Sequence, residues 1–339
     1  MKLKKAQIIG IKIYEHEGSL PELFDEWRSL SINTAFVSAS IDSNNEFRRL
    51  AKQYDIATFI ILPIFYNPDE LQNRPDLFAI TDDGKNASEE WVSFICPTRQ
   101  DYRQQRIEYI SNLIKELEPD GISLDFIRYF VYWEKIYPDR ILSSLPNTCF
   151  DVHCLEKFQK DTKIKIPENL KTTIGIATWI KENHLQQWTD WKCEIITSMV
   201  REIVEEAKRI KPDILVNVHA VPWRKNDFDG AIKIIAGQDF QAIAKYADFL
   251  SPMCYHFMLK RKPAWISSVV EDIYDQTNGN ILPSIQVKEA YLEEKLATEI
   301  FRQALKESLK SPSKGVVLWS WGALEKDSEK KSEIRSLTR

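Results

Sequence analysis

Short runs of β-branched and aromatic residues alternate along the chain with longer stretches of helical apolar spacing, and that alternation restricts the folds open to it. The strand-like runs fall at residues 6–14, 34–40, 57–65, 121–129, 214–222, 248–256, 281–287 and 315–321. Helical patterns lie near residues 21–30, 44–54, 100–117, 185–210, 240–246, 263–276 and 291–309, with a last amphipathic piece after Leu324. Strand followed by helix is the signature of βαβ units and a parallel sheet, and eight such units imply an α/β fold, a (β/α)8 TIM barrel. A barrel of this kind uses about 250 residues, and the chain has 339. The surplus is expected in enlarged loops after strands three and four, at residues 66–98 and in an insertion at about 130–184. Both begin at carboxyl ends of strands, where barrel enzymes build their sites. No Gly-, Ser- or Pro-rich linker breaks the pattern, so one barrel domain over residues 1–339 is expected.

Charge and composition remove several function classes. Lys plus Arg number 46 against 50 for Asp plus Glu, leaving no basic field to hold a phosphate backbone and arguing against a nucleic-acid partner. The longest apolar stretch, residues 56–66, contains Pro63 and is far short of the roughly 20 residues a membrane span requires. The opening Met-Lys-Leu-Lys-Lys has the basic character of a signal peptide. Lys12, however, interrupts the apolar run after it, so the segment reads as a first strand. Five scattered cysteines suit a reducing compartment, and a cytoplasmic location is expected. Composition does not define an oligomeric state. No Gly-x-Ser-x-Gly elbow, Gly-x-Gly-x-x-Gly or Walker A loop occurs, so no nucleotide cofactor is implied. The stretch from Cys149 to Cys154, with His153 inside it, has zinc-binding residue types. It lacks a complementary pair at metal-site spacing, and no metal is expected from it.

The most informative segment is Asp120-Gly121-Ile122-Ser123-Leu124-Asp125-Phe126-Ile127-Arg128-Tyr129. Period-two alternation puts Ile122, Leu124 and Phe126 on one face and Ser123, Asp125 and Ile127 on the other. With the apolar set toward the helices, Asp125 points into the barrel near its top. A carboxylate there requires a partner to offset its desolvation, either a neighbouring loop or a functional group.

This segment resembles the fourth-strand motif of uncharacterised glycoside-hydrolase-like (β/α)8 barrels and, more distantly, of chitinase-type glycoside hydrolases. Cys96-Pro97-Thr98 before an Arg-rich helix, Leu250-Ser251-Pro252-Met253-Cys254-Tyr255-His256, and Gly315-Val316-Val317-Leu318-Trp319-Ser320-Trp321 are similar to further parts of such proteins. The resemblance runs from about Ile9 to Trp321 and implies a glycosidase with a carbohydrate partner. It departs at one position: Ile127 stands where the chitinase-type acid Glu would be. Many glycosidases use two carboxylates, and Asp125 supplies one. Candidates for the second are Glu134, which could instead be a solvated loop charge, and Asp239, which could instead cap a helix; Glu15 and Glu289 are weaker options. Arg128 is adjacent enough to pair with a carboxylate or hold a substrate oxygen. Asn217, His219 and Trp223, then Tyr255 and His256, Gln286, and Trp319 and Trp321 fall at successive strand ends. They mix stacking faces with hydrogen-bonding groups, as a sugar site requires. A catalytically inactive carbohydrate-binding barrel and a barrel enzyme acting on a non-sugar substrate are the competing readings.

Overall fold

The structure is a computed structural model and describes residues 7–337. Eight parallel strands form one sheet: β1 (Ile8–Ile13), β2 (Thr34–Val37), β3 (Ala57–Pro63), β4 (Gly121–Asp125), β5 (Leu215–Ala220), β6 (Phe249–Pro252), β7 (Ser284–Gln286) and β8 (Gly315–Trp319). Each pairs with its sequence neighbour, and β1 pairs with β8. Parallel bridges from Leu250 to Ile281 and from Met253 to Ser284 complete the ring between β6 and β7. The fold is therefore a (β/α)8 barrel. No helix among the described residues is long and apolar enough to cross a membrane.

The lower ends of the strands are fixed by one device used three times. Asn33, Asp120 and Asp248 immediately precede β2, β4 and β6. Their side chains accept the backbone N–H of Ile9, Thr58 and Val216, each on the preceding strand, at 2.9–3.1 Å. A short acceptor at the turn thus satisfies a strand N–H that has no ladder partner at the barrel's edge.

Inward-facing positions change character from bottom to top. The lower layer is apolar, built from Ile8, Phe36, Ala57, Phe59, Ile61, Phe249, Leu282 and Val317. Phe36 and Phe59 stack with centroids 5.1 Å apart, and a Cβ on Gly121 would lie 2.3 Å from the Phe59 ring. Higher up, Lys12, Ser123, Asn217, His219, Ser251, Ser284 and Gln286 point inward and are all buried. Ile122 and Leu124 face the helices, in the outer core.

Two long excursions leave the upper rim. Between β3 and the helix Gln100–Leu117 the chain forms a short helix, Pro68–Asn73, and a two-stranded hairpin, Ser88–Glu89 with Val92–Ser93. Between β4 and the helix Leu185–Ile210 it forms a 3-10 turn, Trp133–Lys135, and helices Val152–Thr162 and Thr173–Asn183. Several strands stop earlier than their β-branched runs imply. β4 ends at Asp125 because Phe126 takes φ 50°, a left-handed conformation that a bulky side chain rarely adopts. The last major helix begins at Thr298 rather than near 291, which leaves Tyr291 in a rim loop. The expected start of the first strand, Ala6, lies outside the described residues.

Gly315 opens β8 at φ 145°, where a Cβ would stand 1.9 Å from the Ile8 carbonyl oxygen. Backbone cannot yield as a flexible side chain can, so Gly315→Ala is expected to cost about 3 kcal/mol or more. Denaturant unfolding measures this, and a loss within about 0.5 kcal/mol, as at an ordinary surface site, would contradict the packing described for the β1–β8 seam.

Candidate active site

The polar upper layer opens into a cleft of about 320 Å³ at the carboxyl ends of the strands. Its floor is contributed by Lys12, Asp125 and Trp319, and its walls by residues of both excursions and of the loops after β6 and β7. A larger depression of about 640 Å³ lies outside the barrel, between the helices Gln100–Leu117 and Leu185–Ile210. It is lined by helix-surface residues such as Glu108, Lys115 and Glu205 and holds no strand-end side chain.

Two basic and two acidic side chains converge in the cleft: Lys12, Arg128, Asp125 and Glu134. Asp125 Oδ1 accepts the N–H of Phe126 at 2.8 Å. Glu134 sits on the Trp133–Lys135 turn and is 8% exposed, with Oε2 buried and unpartnered. Burial pushes its carboxyl up to about 7, with the Arg128 guanidinium opposing and the Asp125 charge reinforcing the shift. Arg128 is also buried; it donates to the carbonyls of Tyr129 and Val131 at 3.2 and 2.9 Å and lies 4.7 Å from the Phe94 ring centroid. Desolvation lowers Arg128 to about 10, opposed by Glu134 and Asp125. Lys12 is lowered to about 8 by burial, with Asp125 pulling the other way. Below it, desolvation and then the Lys12 charge hold His219 down to about 3, so the ring is neutral. Lys12 Nζ donates to His219 Nδ1 at 3.4 Å and to Tyr255 Oη at 3.3 Å. The ring proton is then on Nε2, which faces Ser123 Oγ at 2.9 Å.

Aromatic rings surround these charges. Tyr255 and Trp319 stack at 4.4 Å and 17°, with Trp133 5.8 Å from Tyr255. Tyr66 stacks on Phe126 at 4.7 Å. At the rim, Trp91 Nε1 donates to Tyr291 Oη at 2.8 Å, joining the β3 excursion to the loop after β7.

Of the residues singled out from the sequence, Asp125, Glu134, Arg128, Tyr255 and Trp319 line the cleft. His219 and Asn217 lie beneath it: Asn217 donates to Ser123 Oγ at 2.8 Å and accepts from Ser251 Oγ at 2.7 Å. Gln286 holds the chain after β6, accepting from Met258 N–H at 2.9 Å and donating to the Lys288 carbonyl at 2.9 Å. Four others lie away from the cleft. Asp239 is a helix N-cap, accepting from Gln241 and Ala242 N–H, and pairs with Lys233 at 2.7 Å. Trp223 is buried against Phe228, and Trp321 packs edge-on to Trp27 in the outer core. His256 is fully buried away from the cleft, where desolvation lowers it to about 4. Period two explains the last three: beyond the strand ends the alternation no longer governs where a side chain points. The weaker options also fall elsewhere. Glu15 lines a separate surface pocket, and Glu289 accepts the Leu296 N–H at 3.2 Å. Lys12, Tyr14, Tyr66, Trp91, Trp133 and Tyr291 were not singled out, and Phe126, expected on the helix-facing side, lines the cleft instead, because its left-handed backbone ends the alternation. Lys12 carried a usable signal, a lone charge on an otherwise apolar strand; Trp91 and Tyr291 come from irregular loops that offer none.

The sequence matches no protein-family model and no curated protein. Solved structures do match. The PgaB (BpsB) glycoside hydrolase domain from Bordetella bronchiseptica is 14% identical at TM-score 0.72, over 98% of this chain and 98% of that one. A β-galactosidase from the psychrophilic Marinomonas ef1 is 10% identical at TM-score 0.72. A β-galactosidase from the haloarchaeon Halorubrum lacusprofundi is 9% identical at TM-score 0.71. The chain spans 59% and 57% of the lengths of these two galactosidases. These likenesses show a shared (β/α)8 barrel fold.

Glu134 yields a stability test. Its folded value, about 7, lies above the ordinary 4.5, so the native state binds the proton more tightly than the unfolded chain. This contribution is fully present below 4.5 and is lost as pH rises through about 7. Glu134→Gln lacks that dependence. Its stability relative to the parent should rise across the window by up to about 3 kcal/mol, read from unfolding curves at acidic and alkaline pH. A pH-independent difference would show that Glu134 ionises as an exposed carboxyl does.

Proposed function

We propose that the protein is a glycoside hydrolase, with Glu134 as general acid and Asp125 as the second carboxylate. One observation carries this reading: a buried carboxyl raised to about 7 and a strand-end carboxylate share one aromatic-lined cleft. A carboxyl that keeps its proton near neutrality can protonate a glycosidic oxygen as the bond breaks. Asp125, on the end of β4, then serves as nucleophile or as base toward water, the two roles open to the partner carboxylate in glycosidases. Ile127 is fully buried outside the cleft, so the acid comes from the excursion after β4 and not from the strand. Tyr255 and Trp319 supply apolar faces for sugar C–H surfaces, while Lys12 and Arg128 donate hydrogen bonds to substrate oxygens. The glycoside-hydrolase neighbours and the resemblance of the fourth-strand segment support a carbohydrate ligand.

Hydrolysis of a panel of aryl glycosides and natural oligosaccharides tests the proposal. The parent should turn over at least one of them, with an alkaline limb near pH 7 set by Glu134. Asp125→Asn and Glu134→Gln should each lose about 10²–10⁴-fold in rate while remaining folded by circular dichroism. Trp319→Ala should weaken sugar binding several-fold. Sugar binding without turnover in the parent would make the protein a carbohydrate-binding barrel, and activity that survives Asp125→Asn undiminished would remove Asp125 from the chemistry.

A further inference from the structure

Away from the cleft, the two excursions meet at a group of thiols. Cys96, Cys149, Asp151 and Cys154 each present one ligand atom, and these atoms all lie within 4.8 Å of one another. The three cysteines are fully buried and free of disulfides. Cys96 Sγ is 3.3 Å from Cys154 Sγ. Asp151 Oδ1 accepts the N–H of Cys154 at 2.6 Å, capping the helix Val152–Thr162. Its other oxygen, Oδ2, is buried with no hydrogen-bond partner. In a tetrahedral zinc site with Zn–S near 2.3 Å, ligand atoms stand about 3.5–3.8 Å apart, so these four, all within 4.8 Å of one another, reach that spacing by side-chain shifts of about 1 Å or less.

Thiols are weak donors and leave the Asp151 oxygen without a strong partner. A divalent cation would take three thiolates and this carboxylate together, converting an orphaned polar atom into a ligand. Such a centre carries excess negative charge, and a buried lysine lies within electrostatic reach of it. Lys192 is fully buried; burial lowers it, and Cys193, then Cys149, Cys154 and Asp82, oppose that shift. Its Nζ donates to Asn147 Oδ1, the Ile234 carbonyl and the Ile235 carbonyl at 2.6–3.2 Å. All three are neutral, and no carboxylate pairs with Lys192 among the described residues. The Ile80 N–H, directed at Cys149 Sγ at 3.2 Å, adds a further donor to the sulfur. None of the four residues lines the cleft.

We propose that Cys96, Cys149, Cys154 and Asp151 form a structural zinc site. Four protein ligands leave no position for substrate. The ion clips the excursion after β3, which carries Trp91, to the excursion after β4, which carries Glu134. His153, which the local sequence offers as a ligand, is exposed and outside the group; Cys96, more than fifty positions away along the chain, completes the set.

Elemental analysis of the full chain, produced in zinc-supplemented medium and desalted, should find about one zinc per chain. After chelation, Co²⁺ should restore thiolate-to-cobalt charge-transfer absorption and the strong visible bands of tetrahedral cobalt. Cys149→Ser and Cys154→Ser should weaken zinc at least tenfold, while Cys254→Ser, in a thiol remote from the group, should keep it. Because the serine variants can fail to fold, the parent decides independently: zinc should slow its reaction with a thiol-specific disulfide reagent, and chelation should restore the rate. No zinc or cobalt uptake by the folded parent, a cobalt spectrum without sulfur charge transfer, a Cys96–Cys154 disulfide in the reduced-grown protein, or full zinc content in folded Cys154→Ser would each overturn the proposal.

Discussion

Desolvation of charge in the upper half of the barrel is the constraint on which the site depends. The lower interior is closed by Phe36 and Phe59 with their apolar neighbours, so the strands can present polar groups only above that plug. Lys12 is held there by His219 and Tyr255 and lies within range of the Asp125 charge. The same arrangement keeps His219 neutral. Two cations and two carboxyl groups in a small apolar-walled space cannot all behave as they would in water. Burial lowers Lys12 and Arg128 and brings Glu134, on a loop turn without a hydrogen-bonding partner for Oε2, up to about 7.

The barrel was legible in the sequence because its strands are short, strongly β-branched and regularly separated by amphipathic helices. Asp125 was legible for a related reason: period two along β4 fixes its facing, and the turn at Asp120-Gly121 fixes its height. Where strand geometry ends, so does that logic. Trp223, His256 and Trp321 follow strands in sequence yet fold back into the core, whereas Trp319, the last residue of β8, does reach the cleft. Glu134 illustrates the opposite difficulty. Nothing local distinguishes it from a solvated loop charge; its burial comes from the excursion folding over the barrel mouth.

The two excursions therefore contribute more to the cleft than their irregular sequences suggest. One brings Trp91 to the rim and the other brings Glu134 and Trp133. They are joined by backbone hydrogen bonds between Asp82 and Asn147 and between Phe150 and Ile80, beside the thiol group. A site assembled from long loops needs such bracing, because placement errors of the order of 1 Å already cost rate heavily.

Burial in the cleft keeps a proton on Glu134 near neutral pH, and that carboxyl can be observed directly. Selective ¹³C labelling of glutamate side-chain carboxyls, with the resonance assigned by its absence in Glu134→Gln, allows an NMR titration of the native protein. A midpoint near 7 is expected for Glu134. A midpoint near the ordinary 4.5 would mean that the carboxylate is ionised and solvated in the native protein and cannot serve as a proton donor at neutral pH.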